Sequence, residues 1–169
     1  MPPSRRVVLR AAIAACGLAV VGCSPTKPAA GASTRRTDPA AQDTAGLQAA
    51  LAAEHVAVYG YGVAGAWLAG APRRAALAAL DAHRVRRDQL IEMLRARGVA
   101  PVPAAAAYEL PFPVHDASSA ARLAARLEAG TAKAARALAG AADPALRGFA
   151  DRLLADATAR QATWRRLSG

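Results

Sequence analysis

The sequence predicts an all-α protein, a four-helix bundle built as two antiparallel hairpins joined by a long Pro-rich crossover. Three observations predict it. Alanine supplies 50 of the 169 residues and β-branched residues are scarce after residue 22; Ala gives up no side-chain entropy in a helix, so this composition favours helices. Apolar side chains recur every three or four positions in four separate stretches, the spacing of one helix face. Between the second and third stretches lie Pro101, Pro103, Pro111 and Pro113, where helix cannot persist. An apolar share of 54% with 20% charged residues excludes general disorder. Two cysteines exclude a disulfide framework and a zinc knuckle.

Residues 1–22 read as an export signal. Arg5, Arg6 and Arg10 form a basic start, and Ala11 to Gly22 is an uncharged apolar run of 12 residues, too short to span a membrane, which takes about 20. Val20-Val21-Gly22-Cys23 resembles the lipobox of bacterial lipoproteins, in which the Cys is acylated and becomes the new N-terminus. Val21 departs from that pattern, since a smaller residue is commoner there. Arg5-Arg6 followed by Leu9 resembles a twin-arginine signal, with an ordinary Sec signal as the alternative. Loss of Arg5, Arg6 and Arg10 lowers the formal charge from +10 to +7. Residues 23–43, rich in Pro, Ala, Ser and Thr, read as a flexible tether. The expected address is the extracytoplasmic face of the cell membrane, with a lipid anchor at Cys23.

Residues 44–169 read as the bundle. The first seam runs Leu47, Leu51, Glu54, Val58, Tyr61, Gly65 and Leu68. Pro72 suits a helix first turn, and Leu80, Leu90 and Leu94 continue a second helix that closes at Gly98. Leu123, Leu127, Ala134 and Leu138 mark a third. Asp143-Pro144, an N-cap followed by Pro at the first helical position, opens a fourth through Leu146, Phe149, Leu153, Trp164 and Leu167. Connections of about two to four residues make antiparallel pairs of helices one and two and of three and four. The stretch Val99 to Asp116 can travel the length of the bundle and let helix three run parallel to helix two.

Leu47–Gly65, with Glu54-His55 and Tyr59-Gly60-Tyr61-Gly62, then Ala82–Leu90, Ala107–Val114 and Ser119–Leu138 together resemble an actinobacterial family of ferritin-like domains of unknown function. Its members often sit behind export signals. The resemblance covers nearly all of Leu47 to Arg165 and implies a ferritin-like four-helix bundle. It brings no established activity.

Each apolar seam holds polar residues near mid-helix: Glu54 on the first, His83 and Arg87 on the second, Glu128 beside the third, Asp156 and Arg160 on the fourth. Burying an unpaired charge costs several kcal/mol, so such a cluster must neutralise itself or hold an ion. Ferritin-like di-iron proteins hold ions, using a Glu on one helix of each pair and Glu-x-x-His on the other. Glu54 and Glu128 resemble the lone glutamates, and His83 one histidine. Leu80 stands where the first Glu of Glu-x-x-His belongs, the fourth helix has no His, and two arginines share the layer. An Arg beside a carboxylate replaces a cation with a forked pair. Glu54, Glu128 and Asp156 against Arg87 and Arg160 leave one negative charge, for a protonated His83, a hydroxyl or a single weak cation. The leading expectation is therefore a metal-free, salt-bridged core in a binding or structural module, without a cofactor. The alternative is a metal-binding or metal-dependent oxidoreductase, taking iron or another divalent metal on Glu54, His83, Glu128 and Asp156.

Gly60-x-Gly62-x-x-Gly65 spells a dinucleotide fingerprint, but no β-branched strand follows it. Small residues that let helices approach explain it better. Seven arginines make helix two basic, which reads as a solvated face or as contact with anionic lipid headgroups. Nucleic acid is excluded as a partner by the lack of stacking aromatics. His55 and His115 read as surface or capping histidines, and Phe112 as a wedge between crossover and bundle. An Ala- and Gly-rich helix face allows a homodimer.

Overall fold

A computed structural model describes residues 38–169. Within them lie four helices: α1 Pro39–Trp67, α2 Gly70–Arg95, α3 Ala117–Leu138 and α4 Pro144–Ser168. The expected export signal, Cys23 and the expected tether up to residue 37 lie outside the described residues.

Helix α1 starts five residues before the predicted border at Thr44, a correction with a local cause. The Asp38 carboxylate accepts a hydrogen bond from Ala40 N, and Pro39 takes the first helical position. The same device opens α4, where Asp143 caps Ala145 N ahead of Pro144. Leu68 and Ala69 alone join α1 to α2, a turn made possible by Gly70 at φ +58°. Gly98, at φ +68°, ends the second helix. Val99 N donates to Leu94 O and Gly98 N to Arg95 O, which satisfies the last carbonyls of α2.

The crossover, residues 99–116, climbs alongside α1. Gln48 donates to Ala100 O at 2.7 Å and accepts from Val102 N at 2.8 Å. Two turns further along the same face, His55 Nε2 donates to Val102 O at 3.1 Å. His55 is therefore buried and pins the crossover, whereas His115 lies exposed beside Asp116. Tyr108 packs on Tyr59 with ring centroids 5.6 Å apart. Phe112 packs against the core beneath the guanidinium of Arg122, as the wedge reading expects. Asp116 and Ser119 then cap α3 reciprocally.

Contacts fix the directions. Gly46 meets Leu138 and Gly60 meets Leu127, so α1 and α3 run antiparallel. Arg97 with Asp143 and Arg86 with Asp156 set α2 antiparallel to α4. Helices α2 and α3 are thus parallel. A Cβ on Gly60 would stand 2.7 Å from both Leu127 methyl groups, so the missing side chain lets Leu127 seat against α1, and a larger residue would have to displace it. Gly62 and Gly65 meet no such neighbour.

The core divides into two apolar clusters. One gathers Leu47, Leu51, Leu90, Leu94, Leu146 and Leu153. The other gathers Tyr61, Leu68, Leu80, Leu123, Leu127 and Trp164. Between them, at mid-height on every helix, comes the polar layer.

Candidate functional site, a buried polar layer

Glu54, His83 and Glu128 are completely buried. Their seams are helical, so each carbon frame points inward with its apolar neighbours one turn away on either side. His83 lies between the two acids, with Nδ1 2.6 Å from Glu54 Oε2 and Nε2 3.2 Å from Glu128 Oε1. A carboxylate only accepts, so both ring nitrogens donate and the ring is an imidazolium. Burial alone would lower the His83 pKa, but hydrogen bonds and charge from Glu128 and Glu54 outweigh it and the pKa is raised.

Glu128 is the hub. Its Oε1 also accepts from Tyr61 Oη at 2.7 Å and from Arg160 Nε at 2.7 Å. Burial pushes its carboxyl up, but the His83 hydrogen bond, the His83 and Arg160 charges and the Tyr61 hydroxyl together hold it below the usual range. Burial first, then the Glu128 charge, raises the Tyr61 phenol, so it stays a donor. The Tyr61 ring also stacks on His83 at 5.1 Å and lies 6.1 Å from Trp164. Glu54 and Glu128 against His83⁺ and Arg160⁺ make a neutral quartet, the condition for keeping charges in a dry core.

Two residues predicted for this layer stand outside it. Arg87 turns back onto Asp88 of its own helix, with Nε 2.8 Å from Oδ1. Asp156 pairs with Arg86 at 2.6 Å and its side chain is 57% exposed. On a helix one position is a turn of about 100°, and it is Arg86 that leans toward α4. On α4 the small Ala157 fills the buried place beside Asp156. Leu167, read as part of the seam, is exposed. Tyr61 is the member of the layer that an apolar seam concealed. Its signal was a hydroxyl on the seam two turns from Glu54, where a buried phenol requires a partner.

The arrangement does not fit a pair of metal ions. Leu80 removes one carboxylate, α4 offers no imidazole, and Asp156 faces Arg86 and solvent. Both His83 nitrogens and Glu128 Oε1 are engaged. Among the described residues no group of three or more His, Cys, Asp or Glu side chains is spaced to hold an ion. Glu54 Oε1, Glu128 Oε2 and Arg160 NH2 are buried without a partner among the described residues.

Fold and layer define a ferritin-like helical bundle whose polar core is salt-bridged. Residues 46–169 match the family described as Domain of unknown function (DUF4439), and the chain belongs to that family. No curated protein matches it. Among solved structures the chain is similar to a conserved hypothetical protein, rv2844, from Mycobacterium tuberculosis. That similarity is 42% identity over 75% of this chain and 96% of that one, with a TM-score of 0.72. It is also similar to ferritin-like, diiron-carboxylate proteins from Bacillus anthracis str. Ames, at 18% identity over 79% and 99% of the two chains with a TM-score of 0.65. The second likeness shows the fold.

Proposed function

We propose that this chain is a lipid-anchored, extracytoplasmic ferritin-like module that works by binding or assembly, with a salt-bridged core in the place where ferritin-like relatives hold iron. The observation that supports the metal-free part is His83 donating from both ring nitrogens to Glu54 and Glu128 while Arg160 donates to Glu128. Every charge a cation would neutralise is already matched by an imidazolium or a guanidinium. The address rests on the sequence of residues 1–23. No helix among the described residues is long and apolar enough to cross a membrane.

Contact with anionic lipid has limited support from the basic second helix. Arg84, Arg86, Arg87, Arg95 and Arg97 are each paired with an acid, which leaves Arg73 and Arg74 at its start.

Metal analysis of protein purified without a His-tag tests the core. The expected result is no stoichiometric iron, manganese or zinc, with thermal stability unchanged by a chelator. Stoichiometric metal that disappears in Glu54→Ala overturns the reading. It would favour the alternative, a metal taken on Glu54, His83 and Glu128 after His83 gives up its two present hydrogen bonds, with the unpartnered oxygens Glu54 Oε1 and Glu128 Oε2 as further ligand atoms. Cys23→Ala tests the anchor separately. The chain should leave the membrane fraction, and a Cys23→Ala chain that stays there removes the anchor alone.

A further inference from the structure

Away from the polar layer, the crossover roofs a groove of about 520 Å³ between α1 and α3. That volume is within the range of small-molecule sites, about 300–1,000 Å³. Two small residues open it, Ala53 on α1 and Gly130 on α3. A Cβ built on Gly130 would meet nothing within 4 Å. Val56, Leu110, Leu123 and Leu127 make the lining largely apolar, and the paired rings of Tyr59 and Tyr108 stiffen it.

Two charges belong to this lining, Arg126 on α3 and Glu109 on the crossover. Neither forms an ion pair with any described residue. Arg122, one turn earlier on α3, is by contrast occupied with Phe112. A guanidinium standing over apolar walls is complementary to an anionic head carried by an apolar body. Glu109 opposes a second negative charge, which disfavours phosphomonoesters and other dianions. The formal charge of +7 that remains once Arg5, Arg6 and Arg10 are subtracted from the +10 of the full sequence adds a field that draws anions rather than cations.

We propose that the groove beneath the crossover binds a monocarboxylate with an apolar body, of fatty-acid type, with Arg126 gripping the carboxylate. This proposal does not depend on the polar layer being metal-free.

Isothermal titration of the full chain carrying Cys23→Ala, with decanoate as probe, tests it. Decanoate should bind one to one. Decanol, which has the same tail without the charge, should bind about tenfold more weakly, the worth of one charge-assisted contact at an accessible site. Decyltrimethylammonium should bind more weakly still. Arg126→Gln should bring decanoate to the level of decanol. Gly130→Leu, which fills the groove and puts a better helix former on an exposed position, should abolish binding of all three with helix content unchanged by circular dichroism. Ala53→Leu serves the same purpose from the other wall if Gly130→Leu does not fold. Failure of decanoate to saturate at one to one overturns the proposal. So does equal affinity for decanol, a preference for the ammonium, or decanoate binding that survives both filling variants.

Discussion

Arg160 and Arg86 each reach a carboxylate on a neighbouring helix, at 2.7 and 2.6 Å. By distance the two pairs are alike. Their surroundings are not: Glu128 is wholly buried and shared among three donors, while the Asp156 side chain is 57% exposed and has a single one. Water can replace Arg86 at Asp156 at little cost, but nothing can replace Arg160, His83 and Tyr61 at Glu128. The lesson is that in this bundle the electrostatic stake follows desolvation and connectivity, and contact length says little about it.

The largest expected effect comes from removing the hub. Glu128→Ala leaves the buried His83⁺ with Glu54 alone and strips Arg160⁺, whose side chain is only 25% exposed, of its acid, and should cost about 3–5 kcal/mol in denaturant unfolding. A loss below about 1 kcal/mol would mean the layer is wet, erasing the contrast with Asp156.

Next comes coupling within the layer. Glu54→Leu alone strands part of the His83 charge, and His83→Leu alone strands Glu54. Together they remove one negative and one positive charge and leave Glu128 with Arg160 and Tyr61. The double variant should be more stable than the sum of the single losses predicts by about 2 kcal/mol, and an additive result breaks the picture of a neutral quartet.

The pH dependence sharpens the same point. His83 has a raised pKa, so its contribution is complete below its ordinary value of 6.5 and is lost as pH rises through the higher folded value. Glu128 has a lowered pKa, so its contribution is complete above its ordinary value of 4.5 and is lost as pH falls through the lower folded value. Melting temperature should therefore be highest between those two ordinary values and fall on either side. The alkaline fall should vanish in the Glu54→Leu, His83→Leu double variant. The smallest effect belongs to the outer pair: Asp156→Ala deprives the Arg86 side chain, itself only 12% exposed, of its acid and should cost about 1 kcal/mol, less at high salt because Asp156 faces water.

The four helices were legible because their signals are local. Apolar spacing, Asp143-Pro144, Gly98 and the four crossover prolines each report the backbone around them. Glu54, His83 and Glu128 were legible because each stands three or four positions from a buried apolar residue, although Asp156, three positions after Leu153, shows that the same spacing can lead to the surface. Arg86 and Arg87 were not separable by sequence. Both long side chains lie near the edge of the stripe, and which one reaches α4 depends on how far α2 is rotated, a property of packing. Tyr61 was hidden by its ring, which satisfies an apolar pattern whatever its hydroxyl does. Asp38-Pro39 carried the same signal as Asp143-Pro144, but it sits in a stretch whose Pro, Thr and Ala content resembles a linker, and composition masked it.

Asp43 gives that early start to α1 a meaning. It is buried, and its two carboxylate oxygens accept from Ala142 N at 2.8 Å and Asp143 N at 3.0 Å, across 100 residues of chain. The first turns of the domain thus serve as a buckle for its last hairpin, and the amides they secure open the helix that carries Arg160. A chain beginning at Thr44 would lack the buckle, so a fragment meant to keep the bundle whole must begin no later than Asp38.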